Sequence, residues 1–106
     1  MWNIPSKDRL ANIPKLYETE SILCKDKLIY LHFFIGACDW YVAEYDGEEL
    51  FFGYANLGDP QYAEWGYFSF EELKEIKING WLEIDCETEE SWTVRKASEI
   101  KEIKNL

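Results

Sequence analysis

Two periods of apolar and polar positions run through this chain, one near 3.6 residues and one of two, and they predict different elements. Ser6–Ile13 reads as a short helix: Ser6 can cap it, Leu10 and Ile13 share a face, and Pro14 ends it. Pro14–Glu20 then reads as an extended crossing. Lys27–Ile35, KLIYLHFFI, is β-branched and aromatic with no Gly or Pro, as in a largely buried strand. After a break at Gly36–Asp39, a second strand is expected over Trp40–Tyr45. Asp46-Gly47 lies between two β-type runs and predicts a hairpin, because both residues tolerate positive φ. The third strand, Leu50–Ala55, contains Gly53, which marks a bulge or the close approach of another backbone. Asn56–Pro60 is a loop by composition, and Tyr62–Phe68 is a fourth strand.

Ser69-Phe70-Glu71-Glu72 has the spacing of a capping box, in which the Ser69 hydroxyl accepts from the Glu72 amide and the Glu72 carboxylate reaches back. Phe70, Leu73 and Ile76 line one face of the helix that follows, and Asn79-Gly80 is expected to end it through a left-handed cap. Trp81–Cys86 is a plausible fifth strand. Ala97, Ile100 and Ile103 predict a final short helix. Strands joined this closely are antiparallel. The expected fold is therefore one α+β domain over residues 1–106. It has an antiparallel sheet of four to five strands, a short N-terminal helix, a capped helix after strand four and a short C-terminal helix.

Alternation within the strands assigns side chains to faces. Ile29, Leu31, Phe33 and Ile35 form a purely apolar set that should meet the helices, opposite Leu28, Tyr30, His32 and Phe34. In the second strand Trp40, Val42 and Glu44 alternate with Tyr41, Ala43 and Tyr45. In the fourth, Tyr62, Glu64 and Gly66 alternate with Ala63, Trp65 and Tyr67. One face would present a Tyr/Trp surface with Glu44, Glu64 and His32. That face is either open to solvent or covered by a second layer such as the N-terminal crossing.

Charge sharpens this picture. The formal net charge is −10, from 21 acidic and 11 basic residues, which argues against a general nucleic-acid binder. The asymmetry lies in Leu28–Leu73, 46 residues with no Lys or Arg, nine acids and fourteen of the eighteen aromatics. No apolar run approaches the ~18 residues of a membrane helix, and MWNIPSKDRL lacks a signal-peptide core, so a cytoplasmic location is expected. Cys24, Cys38 and Cys86 are odd in number and lack paired spacing. Free thiols are expected, rather than a disulfide framework or a zinc site with His32.

Several blocks carry a family resemblance. LYETE at 16–20, DKLIYL at 26–31, WYVAEYDG at 40–47, FFGY at 51–54 and EWGYFS at 64–69 with Glu72-Leu73 resemble a family of small bacterial proteins of unknown function, found on plasmids, conjugative elements and phages. The resemblance covers about residues 5–85 and leaves out the tail after Cys86. It implies a mobile-element accessory protein and supplies no catalytic residue.

No catalytic signature is present. An acid–base site of hydrolase type would have to use His32 with Glu44 and Glu64, and Asp46-Gly47-Glu48-Glu49 lacks the spacing of a calcium loop. The same residues suit binding better: Trp and Tyr bury area at low entropic cost, and acids steer a basic partner. The expectation is a non-enzymatic, cofactor-free protein that binds a protein with a basic surface through Trp40, Glu44, Asp46, Glu48, Glu49, Tyr54 and Glu64. A host defence nuclease is one such partner, inhibited by nucleic-acid mimicry.

Overall fold

The computed structural model describes residues 1–104 and 106. In chain order it contains helix α1 (Lys7–Ala11), a 3₁₀ turn (Cys24–Asp26), strands β1 (Leu28–Ile29), β2 (Leu31–Ile35), β3 (Cys38–Tyr45) and β4 (Leu50–Leu57), a 3₁₀ turn (Pro60–Tyr62), β5 (Glu64–Ser69), helix α2 (Phe70–Glu75), β6 (Lys77–Ile78), β7 (Leu82–Glu83), β8 (Asp85–Cys86), β9 (Arg95–Lys96) and a last 3₁₀ turn (Ala97–Glu99). The main sheet is antiparallel with strand order β5-β4-β3-β2-β8, so its first four strands form a meander. Two small pairs, β1 with β9 and β6 with β7, lie outside it. The α+β expectation holds.

Local chemistry explains the elements. The Ser6 hydroxyl accepts from the Arg9 amide and starts α1. At the β3–β4 turn, Asp46 Oδ1 accepts from the amides of Glu48, Glu49 and Leu50, while Gly47 takes φ 94°. At α2 the Ser69 hydroxyl accepts from the Glu72 amide, the first half of the expected capping box.

Several expectations are corrected. Lys27–Ile35 is two strands, β1 and β2, in different sheets, so Ile29 lies under the C-terminal layer and not with Leu31, Phe33 and Ile35. Trp81–Cys86 likewise divides into β7 of the small hairpin and β8 of the main sheet. Pro14–Glu20 is a series of turns, not an extended crossing, in which the Glu18 amide donates to the Lys15 carbonyl and the Glu20 amide to the Tyr17 carbonyl. Tyr62 belongs to a 3₁₀ turn capped by Asp59, so strand four begins at Glu64. Asn79-Gly80 does not cap α2, which ends at Glu75. Its two consecutive positive φ values, 56° and 76°, instead make the β6–β7 hairpin turn. The segment after Thr93 forms β9 and a 3₁₀ turn rather than an α-helix, although Ala97, Ile100 and Ile103 are all buried as their spacing suggests.

The sheet is covered on both faces. On the first, Leu31, Phe33, Ile35, Trp40, Val42, Tyr45 and Phe51 pack with Ile13, Phe70, Leu73 and Ile84. On the second, Tyr41, Ala43 and Tyr54 lie under Ile29, Trp92, Ala97, Ile100 and Ile103. The Tyr/Trp face is therefore largely interior, and its cover is the C-terminal segment. The Trp92 indole N–H donates to the Ile29 carbonyl at 3.0 Å, and the Ala97 amide to the Lys27 carbonyl at 2.9 Å, fixing that layer.

A bulge divides β3 between these faces. The β3–β4 register pairs Val42 with Gly53 but Glu44 with Phe52, leaving Ala43 as the extra residue. Strict alternation would put Glu44 in the first core. The bulge reverses the parity beyond Ala43, so Glu44 joins the Phe52 side and Tyr45 enters the core instead. Gly53 lies opposite, and a Cβ there would stand 1.8 Å from the Tyr41 carbonyl oxygen. Gly53→Ala should therefore cost at least about 2 kcal/mol and lower Tm by roughly 8 °C or more. Gly66→Ala, whose Cβ would meet nothing within 4 Å, should leave the urea midpoint much closer to that of the parent.

Candidate functional site

The bulge directs Glu44 toward the turns of residues 16–20. Glu44 is 3% exposed, and its carboxylate accepts from the Tyr17 amide at 2.9 Å, the Thr19 amide at 3.1 Å and the Thr19 hydroxyl. Lys27, 5% exposed, donates to the Thr19 carbonyl and, at 2.8 Å, to Thr19 Oγ1. The hydroxyl thus links two buried charges of opposite sign, which neither could be without partners. The Tyr17 amide reaches Glu44 with φ 71°, in the left-handed region that side chains rarely enter.

Above this pair is a cleft of about 400 Å³ lined by Tyr17, Glu20, Ile22, Leu23, Cys24, Lys27, Glu44, Phe52 and Tyr67. Tyr17, Ile22, Leu23 and Tyr67 are exposed at its rim. Phe52 stacks on Trp65 at 6.1 Å and meets Tyr67 at a tilt, 5.2 Å between ring centres, while the Lys27 ammonium stands 5.9 Å from the centre of the Phe52 ring. A hydrogen bond to Tyr17 first, then desolvation, and after these the charges of Tyr17, Glu44 and Glu20 raise the Tyr67 hydroxyl above its ordinary pKa.

The predicted binding residues fall into two groups. Trp40, Glu44 and Tyr54 are buried, so they offer no open aromatic contact. Asp46, Glu48, Glu49 and Glu64 are exposed. Three of these four gather with the first turn of α2. The Ser69 hydroxyl donates to Glu49 Oε1 at 2.6 Å, and the Phe70 amide donates to the Glu49 carbonyl at 2.8 Å, which brings Glu71 and Glu72 beside the β3–β4 loop. Lys74, bonded to Glu71 at 2.8 Å, Lys15, near Gly47, and Lys7, which shares a pocket with Lys15 and Gly47, are cations beside this acidic end. Glu64 lies at the far end of β5.

His32 does not meet Glu44 and Glu64 as the sequence reading required. Its Nε2 is 2.7 Å from Asp39 Oδ1, and its ring stacks on Tyr41 at 4.5 Å. Glu87 Oε2 stands 3.3 Å from Nδ1, a charge contact not aligned as a hydrogen bond, so Nδ1 has no hydrogen-bond partner among the described residues. Burial foremost, with Asp39 next, raises the Tyr41 hydroxyl. All three cysteines are free, and burial pushes the Cys86 thiol up to about 11. Sequence reasoning missed Tyr17, Thr19, Lys27, Asp39 and Glu87. A lysine at the head of an apolar strand was the one local hint for Lys27, and nothing local signalled the others.

Two outcomes follow from this geometry. Thr19→Val keeps the shape but removes the hydroxyl shared by Glu44 and Lys27. It should cost about 2 kcal/mol in urea denaturation, with Thr19→Ser losing less than half as much. At Asp46, burial works upward, but the amides of Glu48, Glu49 and Leu50, with Lys15, outweigh it and hold the carboxyl below its ordinary range. A lowered folded pKa stabilises above the unfolded value, and that stabilisation disappears as pH falls through the folded one. The stability gap between the protein and Asp46→Asn, followed by chemical denaturation, should therefore be full near neutral pH and shrink as pH falls below the ordinary Asp value of about 3.9.

No curated protein and no solved structure matches the chain. A family model described as a protein of unknown function (DUF2958) matches residues 11–99. That span includes the segment after Cys86, which the sequence resemblance had left out, and so takes in Trp92 and Ala97 of the second layer. With most of its length inside that match, the chain belongs to the DUF2958 family of proteins of unknown function.

Proposed function

We propose that this protein works by binding another protein through its acidic end, without turning over a substrate. The observation that supports this most is the convergence of Asp46, Glu48, Glu49, Glu71 and Glu72 on the β3–β4 loop and the start of α2. Tyr45, beneath them, has its hydroxyl pKa raised, by burial first and then by Asp46, Glu48 and Glu71. Some of these acids are structural: Asp46 holds its turn and Glu49 holds Ser69. Glu48 and Glu72 make no side-chain hydrogen bond or ion pair among the described residues, so their charge is available to a partner. A partner with a basic surface is the complement.

Within that class we place the nucleic-acid channel of a host defence nuclease, in which carboxylates would stand where phosphates bind. The resemblance to proteins carried on mobile elements supports that choice. The hydrolase-type alternative draws less support. Glu44 already accepts three hydrogen bonds, and the carboxylates beside His32 are Asp39 and Glu87.

With the partner isolated from the native host by affinity purification, association should be fast at low salt and slow as salt screens the charges, the Debye length being about 8 Å at physiological ionic strength. Glu48→Lys with Glu49→Lys should slow association about tenfold at low salt. Glu48→Lys alone disturbs no hydrogen bond and controls for the Ser69 contact. A salt-independent affinity would reject the electrostatic reading.

A further inference from the structure

The acidic end explains attraction, but the pocket beside it at Gly47 is lined by Lys7 and Lys15 and offers no seat for a cation. The cleft over Glu44 and Lys27 does, and it lies on a different part of the surface, where residues 17–27 meet β3, β4 and β5. We infer that this cleft takes the cationic side chain of an arginine or lysine from the basic protein partner, seated against Tyr17, Phe52 and Tyr67 with Glu20 as its counter-charge. This rests on the protein-binding reading and names the contact that anchors it.

Three observations carry the inference. The first is the chemistry of the walls. Phe52, Tyr67 and Tyr17 supply ring faces, which attract ammonium and guanidinium groups, and Ile22 and Leu23 at the rim can cover the aliphatic stem or an apolar neighbour. The second is that the cleft already accommodates a cation: Lys27 places its ammonium over Phe52. That charge is not left to repel a guest. Thr19 holds it through carbonyl and hydroxyl, and the same hydroxyl donates to Glu44. Glu20 is then the charge of the lining with no ion pair among the described residues, and Glu44 and Glu20, both negative, are among the groups that raise the Tyr67 hydroxyl. The third is strain. Tyr17 occupies the left-handed region at φ 71°, where glycine would rest without cost, and in doing so brings a large exposed ring to the rim. A volume of about 400 Å³ exceeds what one guanidinium fills, which suits a side chain carried on a segment of polypeptide.

The test uses the full chain and N-acetyl-L-argininamide as probe, with the citrulline analogue as its neutral isostere, followed by two-dimensional NMR. Saturable shifts at Tyr17, Leu23, Phe52 and Tyr67, with citrulline at least tenfold weaker, are expected. Glu20→Gln, an exposed change that leaves the Glu44 network intact, should weaken the arginine probe several-fold, and Tyr67→Ala should abolish its effect. Equal response to both probes, or shifts confined to Glu48 and Glu71, would overturn the assignment. So would a concentration-dependent dimer broken by Tyr67→Ala, which would make a second copy the occupant. With the isolated partner, Glu20→Gln and Tyr67→Ala should speed dissociation while the salt dependence of association persists. If dissociation is unchanged and that salt dependence persists, the cleft assignment fails alone; if association ignores salt, the protein-binding reading fails with it.

Discussion

The approach of the Tyr41 carbonyl to the Cα of Gly53 governs how this sheet is built. With no side chain at residue 53, β3 and β4 can close on each other where one strand carries an extra residue. That extra residue, Ala43, changes the face of everything after it. Without it Glu44 would be an unpaired carboxylate in an apolar core, which the protein could not tolerate. With it, Glu44 meets the amides of Tyr17 and Thr19, and the turns of residues 16–20 have something to wind around. The cleft, the strained Tyr17 and the buried Lys27 all follow from one missing Cβ.

The second constraint is that a sheet rich in aromatics on both sides needs two covers. Helix α2, with Ile13 just after α1 and Ile84 between β7 and β8, supplies one. A segment with almost no regular structure supplies the other, held by Trp92, Ala97, Ile100 and Ile103 and by its backbone pairing with β1. Trp92 does two jobs there: it fills space against Tyr41, and its indole N–H ties the layer to the Ile29 carbonyl.

Much of the architecture was legible because it is local. The Asp46-Gly47 turn, the Ser69 cap, the apolar alternation of Leu31, Phe33 and Ile35 and the anomaly of Gly53 each state their role within a few residues. What escaped was non-local or ambiguous. Asn79-Gly80 suits a helix end and a hairpin equally, and only the pairing of Lys77 with Glu83 decides between them. Glu44 looked like a surface acid because its alternation was counted through a bulge whose place Gly53 marked but whose effect on parity was not followed. Trp40 and Tyr54 looked like contact residues because their covers are distant in the chain: Phe70 and Leu73 of α2 lie on the face of Trp40, and Trp92 and Ala97 lie on that of Tyr54. His32 drew the wrong carboxylates for the same reason: Asp39 reaches it across a hairpin and Glu87 from beyond β8.

The order of events along the chain gives the C-terminal layer a further meaning. Strands β2 to β5 join neighbour to neighbour, so their pairings close over short loops and can form while later residues are still being added. The surface of Tyr41, Tyr54 and Trp65 is complete at that stage, but Trp92, Ile100 and Ile103 are not yet there to cover it. During that interval the nascent protein carries an open aromatic sheet face, the kind of surface that drives association between unfinished chains. The carboxylates on the same strands give every such chain the same sign of charge, which opposes that association.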